Sequence, residues 1–200
     1  MLHSQLVKLF ALSVASLSLS ACVSFGSKPP PQLLTLSANS QPGTGTDLSS
    51  ESLPSLIVLT PSVPRKLANV RVPVQVDDTT VAYVKDAQWT EAPRTLFQRL
   101  LSETVAADGT MFVLGNGQYA VKPGQRLMGE LHEFGIDAQT QEAVVTYDAI
   151  LTGNPDAPAR RQRFTARVPV RSIKAKYVAA PINEAANNVA AQVSEWVKGS

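Results

Sequence analysis

The chain has one cysteine, two histidines and few charges, only 17% of its 200 residues. Cys22 has no partner, so a disulfide within the chain is excluded. One histidine stands at position 3; the other, His132, lies in an apolar stretch beside Leu131 and Phe134. One cysteine and one internal histidine cannot supply a tetrahedral zinc site, so no metal and no other cofactor is expected. Basic and acidic residues nearly balance, 18 against 16, whereas nucleic-acid binders carry a clustered basic face. A nucleic-acid partner is therefore not expected. No serine sits in a Gly-x-Ser-x-Gly setting, and Gly115-Asn116-Gly117 lacks the rest of a phosphate-binding glycine motif. Glu130 and Glu133 should face opposite sides of a strand, which removes them as an acid–base pair. Sequence spacing does not preclude a Ser-His-Asp set assembled in space, but no catalytic residue can be named.

What is present starts with the leader. A single cation, Lys8, precedes an apolar run from Leu9 to Leu19. That run falls short of the roughly 20 residues a spanning helix needs. With small residues before a cut, it reads as a secretory signal peptide over residues 1–21. Leu19-Ser20-Ala21-Cys22 resembles the bacterial lipobox, with cleavage between Ala21 and Cys22 and acylation of the Cys22 thiol. The alternative is an ordinary small residue at a signal-peptidase site. Acylation would add diacylglyceryl and acyl (palmitate) chains, and two or more chains hold a protein on a membrane where one does not. Val23, rather than aspartate, follows the cysteine, which resembles sorting to the outer membrane. Residues 22–31 end in Lys28-Pro29-Pro30-Pro31 and read as a semi-rigid spacer.

The domain is expected over residues 32–200. Strands are expected at Gln32–Leu36, Leu56–Leu59, Thr79–Val84, Met111–Leu114, Arg126–Ile136, Ala143–Leu151 and Gln162–Val170, the last three as an antiparallel meander. Asn39–Ser55, rich in Gly, Ser, Thr and Pro, reads as a long mobile loop. Pro61–Val76 reads as an irregular excursion. A first helix, capped by Thr90, should bury Leu96, Phe97, Leu100, Leu101 and Val105, with Arg94, Gln98, Arg99 and Glu103 away from that face. A second should open at Pro181 and bury Ile182, Ala185, Ala186, Val189, Val193, Trp196 and Val197 on one side. The fold class is α/β (α+β): a single domain, with a mixed β-sheet of about six or seven strands and two main helices packed on it. The basic group Arg160, Arg161, Arg163 and Arg167 reads as a solvated strand edge, with anionic headgroups or an acidic partner as the alternative.

This order of parts resembles the ABC-type transport auxiliary lipoprotein family. The likeness rests on Leu33-Leu34-Thr35-Leu36, Leu56-Ile57-Val58, Val63-Pro64-x-x-Leu67, Thr80-Val81-Ala82-Tyr83 and Trp89-x-x-Ala92-Pro93 leading into a leucine-bearing helix. Near the end, Arg163-Phe164-x-Ala166 and the alanine-rich helix closing on Trp196-Val197 add to it. The resemblance implies a non-enzymatic lipoprotein of the Gram-negative outer membrane, facing the periplasm. Its partners would be an MCE-domain (mammalian cell entry) protein and, through it, an inner-membrane ABC transporter moving phospholipid or another lipid. It names no partner-binding residues. A direct lipid carrier and, more distantly, a periplasmic hydrolase working through His132 are the rival readings.

Overall fold

The computed structural model describes residues 32–45, 47–115, 124–153 and 158–199. Its centre is one long strand. β1 (Ser55–Val58), β2 (Arg71–Gln75), β3 (Val81–Gln88), β4 (Phe112–Leu114), β5 (Gln125–Asp137), β6 (Glu142–Thr152) and β7 (Arg160–Pro169) form one sheet with α1 (Pro93–Ala106) and α2 (Ala175–Lys198). On one side β5 pairs with β6 over nearly its whole length, and β6 pairs with β7, both antiparallel. On its other side β5 takes two short partners end to end. β1 lies parallel to its first residues and β2 parallel to its last, with Ser62 bridging Glu130 between them. β4 extends the sheet beyond β1 and β3 beyond β2. The expected mixed sheet with two helices is what the chain forms.

Each helix lies on the same face and against the other. α1 buries Leu96, Phe97, Leu100, Leu101 and Val105, and α2 buries Val178, Ile182, Ala185, Ala186, Val189, Ala190, Val193 and Val197. Facing them is a ring cluster: Trp89 and Phe134 at 5.4 Å, Phe97 and Phe134 at 6.3 Å, Phe97 and Tyr147 at 5.3 Å between centroids. Each such side chain, removed from water, contributes about 1.5–3 kcal/mol. Trp196 closes the end of α2 against Phe164, at 5.7 Å.

Several boundaries differ from expectation, each for a local reason. Thr90 does not cap α1; its backbone N–H donates to Leu34 O at 2.8 Å, and the helix starts after Ala92 with Pro93 in its first turn. Gln98 is not on the solvent side: it is buried and donates Nε2–H to Val58 O at 3.0 Å. α2 starts a turn and a half before Pro181, which sits inside it. Proline costs about 3 kcal/mol in a helix interior, and burial of Val178 in the added turns offsets part of that. Gln32–Leu36 is not a strand but the first part of a strap, residues 32–39, with one bridge from Leu34 to Trp89. The excursion at Pro61–Val76 contains β2 despite Pro73, because the β2–β3 register shifts between Arg71 and Pro73, where a missing N–H is tolerated.

Candidate docking surface

With both α-helices on one face, the other face of the sheet carries no α-helix among the described residues. β6 is nevertheless buried almost throughout, Val144, Thr146 and Asp148 on that open face included. Long polar side chains from the neighbouring strands cover it, among them Arg161 and Arg163, whose guanidiniums bond Asp148, and Arg167, which bonds Glu142.

Asp148 is the hub of this cover. Only 4% exposed, it stands opposite Arg163 on β7 and Glu130 on β5. Arg163 grips it with two bonds, Nε to Oδ1 at 2.5 Å and Nη2 to Oδ2 at 2.9 Å, and Arg161 Nη2 donates to Oδ2 at 2.7 Å. His132 Nε2 lies 3.2 Å from Oδ2. The Arg163 guanidinium foremost, then Arg161 and His132, hold the carboxyl well below the usual carboxylate range against the opposing effect of burial. A carboxylate so occupied does not serve as a proton acceptor near neutral pH.

Glu130 and Glu133 are on the same face, contrary to expectation. A β-bulge at His132 inserts one extra residue, so that Glu130 pairs with Asp148 and Glu133 with Thr146. Their roles still diverge. Glu130 Oε1 lies 3.6 Å from His132 Nδ1, while Glu133 pairs with Lys66 Nζ at 2.7 Å. Lys66 also donates to Gln75 Oε1 at 3.2 Å. Arg167 bridges Glu142 at 3.0 Å and Asp137 at 3.3 Å. Between these pairs runs a groove of about 160 Å³ whose walls include Lys66, Gln75, Glu133, Gly135 and Arg167. Gly135 lets β2 approach: a Cβ there would stand 2.4 Å from Pro73 O.

β7 borders this face. It pairs with β6 residue for residue, and no strand takes its outer side among the described residues. The arginine group is therefore on a sheet edge as expected, but Arg161, Arg163 and Arg167 are ion-paired rather than merely solvated. Ala21, Cys22 and the proline spacer lie outside the described residues, as do Asn116 and Gly117. Sequence reasoning passed over Asp148, the one carboxylate inside the apolar run of β6, and Lys66 in the excursion. It also passed over Asn183 and Asn187, two amides among the alanines of α2. No helix of the described residues is long and apolar enough to cross a membrane.

Comparisons set this geometry among known proteins. A family model described as ABC-type transport auxiliary lipoprotein component matches residues 34–194. The structure is similar to the crystal structure of a Xanthomonas campestris protein assigned to the DUF330 family, with TM-score 0.67 and 18% identity, covering 83% of this chain and 94% of that one. It is also similar to the crystal structure of an uncharacterized protein, with TM-score 0.58 and 14% identity, covering 72% and 89%. At such identities the likeness is one of fold. No curated protein matches the sequence.

Proposed function

This chain belongs to the ABC-type transport auxiliary lipoprotein component family, and we propose that it is the outer-membrane-anchored docking subunit of an MCE-type lipid transport system. In this reading Cys22 carries the acyl anchor, residues 23–31 set the reach into the periplasm, and the sheet engages the MCE-domain protein that leads to the inner-membrane ABC transporter. The observation carrying it is the ten-residue edge strand β7, which among the described residues is open on its outer side and flanked by a face without an α-helix. An open edge offers backbone donors and acceptors to an added strand, and the arginines beside it discourage indiscriminate pairing. Docking is favoured over lipid carriage because the space between helices and sheet is filled by Trp89, Phe97, Phe134 and Tyr147 in mutual contact.

A photo-crosslinking residue at Gln162 or Thr165 on β7, both exposed, tests this in cells. Crosslinks to the MCE-domain protein from β7, and none from Asn188 on the exposed side of α2, are expected. Crosslinks from α2 alone would move the docking site to the helices and sink the edge reading.

A further inference from the structure

We propose that the end of the molecule at the start of α2 is a contact face for anionic lipid headgroups; this rests on the reading of Cys22 as the lipid anchor. The strap fixes where the tether arrives. Leu34 bridges Trp89, Ser37 N–H donates to Asn183 Oδ1 at 2.9 Å, and Asn39 N–H donates to Asn187 Oδ1 at 2.7 Å. The strap thus runs beside α2 in the same direction, placing Gln32 at the helix's beginning. There Gln32 and Leu34 share a groove of about 420 Å³ with Asp86, Ala175, Lys176 and Ala179. From Cys22 to Gln32 the chain can reach about 31 Å in polyproline form, so this end is the one held nearest the anchor.

The side chains at that end suit a headgroup layer. Arg171, Lys174 and Lys176 are exposed, and among the described residues none forms an ion pair with a carboxylate, unlike Arg161, Arg163 and Arg167 on the sheet. Asp86 is the one acid among the described residues that line the groove. Arg171 and Lys176 both lie over the Tyr177 ring, at 5.5 Å and 4.6 Å, and Leu33 is 52% exposed. Basic groups near an anionic membrane contribute about 1 kcal/mol each, and tyrosine and leucine favour the interface beside them. Arg160, at the start of β7, points elsewhere: it lies 4.9 Å over Trp196, at the opposite end of α2.

The test uses the full chain, purified from a Gram-negative host in detergent and reconstituted into vesicles. Acylated Cys22 leaves no native thiol to label, so bimane can be placed at Leu33→Cys or, as a control, at Glu195→Cys. The two sites are separated by most of α2, about 29 Å from Lys176 to Glu195 by helical rise. With headgroup-level nitroxide lipid and phosphatidylglycerol present, quenching at position 33 is expected to exceed that at 195 several-fold. Replacing Arg171, Lys174 and Lys176 together by Glu should bring it to the level of 195 while the protein still floats with the vesicles. Equal quenching at both sites, no response to the triple change, or the same quenching in pure phosphatidylcholine overturns the headgroup face. An intact mass showing unmodified Cys22 overturns the anchor itself, and the orientation with it, separately from those results.

Discussion

Asn187 on α2 and Asn39 on the strap are joined by a 2.7 Å bond from backbone N–H to side-chain Oδ1, while Asn187 Nδ2 donates to Ser37 O at 2.9 Å and to Asn183 O at 2.8 Å. One amide therefore serves as donor and acceptor to a segment nearly 150 positions away in the chain. Without it, strap backbone groups would have to find water beside an apolar helix.

Asn187→Ala should cost about 1–3 kcal/mol, since the amide is 6% exposed and its strap partners lose their bonds. Asn183→Ala, which removes a single partner at Ser37, should cost less. Urea unfolding of each variant measures the difference, and equal losses would show that the strap is not held at Asn187.

Phe97→Ala removes a fully buried ring that touches Phe134 and Tyr147. The expected loss is about 3–5 kcal/mol, read as a fall in the denaturation midpoint with little change in slope. A loss below about 1 kcal/mol would mean that the site collapses onto the cavity.

Asp148→Asn leaves Arg161 and Arg163 without their shared carboxylate. Both arginine side chains are more than half exposed, 66% and 62%, so water takes over much of their solvation. The loss should be about 1–2 kcal/mol, below the cost of breaking a fully buried pair.

Acid should unfold the chain through the same type of group. Asp108 is lowered from 3.8 to about 2, chiefly by its bond to Lys198, against burial and with help from Thr110. Asp148 is lowered as well, chiefly by Arg163. Because the unfolded chain binds these protons first, the contribution is complete above about pH 4 and is lost as pH falls toward 2. Asp108→Asn should flatten that acid loss while lowering stability at pH 7 by less than about 1 kcal/mol, its side chain being 40% exposed. Urea midpoints at pH 7, 4 and 2.5 would record it.

Wherever one physical rule acted alone, the fold was legible in the sequence. The 3.6-residue stripes of α1, the apolar run of β1 and the turn-bounded meander of β5 to β7 all fall within a few residues of expectation. Legibility failed where tertiary partners overrode local signals. Thr90 gives its N–H to Leu34 instead of capping a helix, Pro73 enters a strand at a register shift, and Pro181 is carried inside α2 by the burial of Val178. The open face of the sheet failed more fully. A one-residue bulge at His132 reversed the side on which Glu133 lies, and no periodicity rule foresees a bulge. Asp148 left a signal, an acid in an otherwise apolar run, but its arginines lie on the next strand and only pairing reveals them.

A mild-detergent pull-down of the full-length, tagged chain from its own cells, with mass spectrometry of proteins and lipids, tests the docking role most directly. Recovery of an MCE-domain protein, reduced when crosslinking or substitution occupies β7, is the predicted result. Lipid recovered without that protein, or neither, would contradict the docking role and leave the family membership standing on the match of residues 34–194 to the family model.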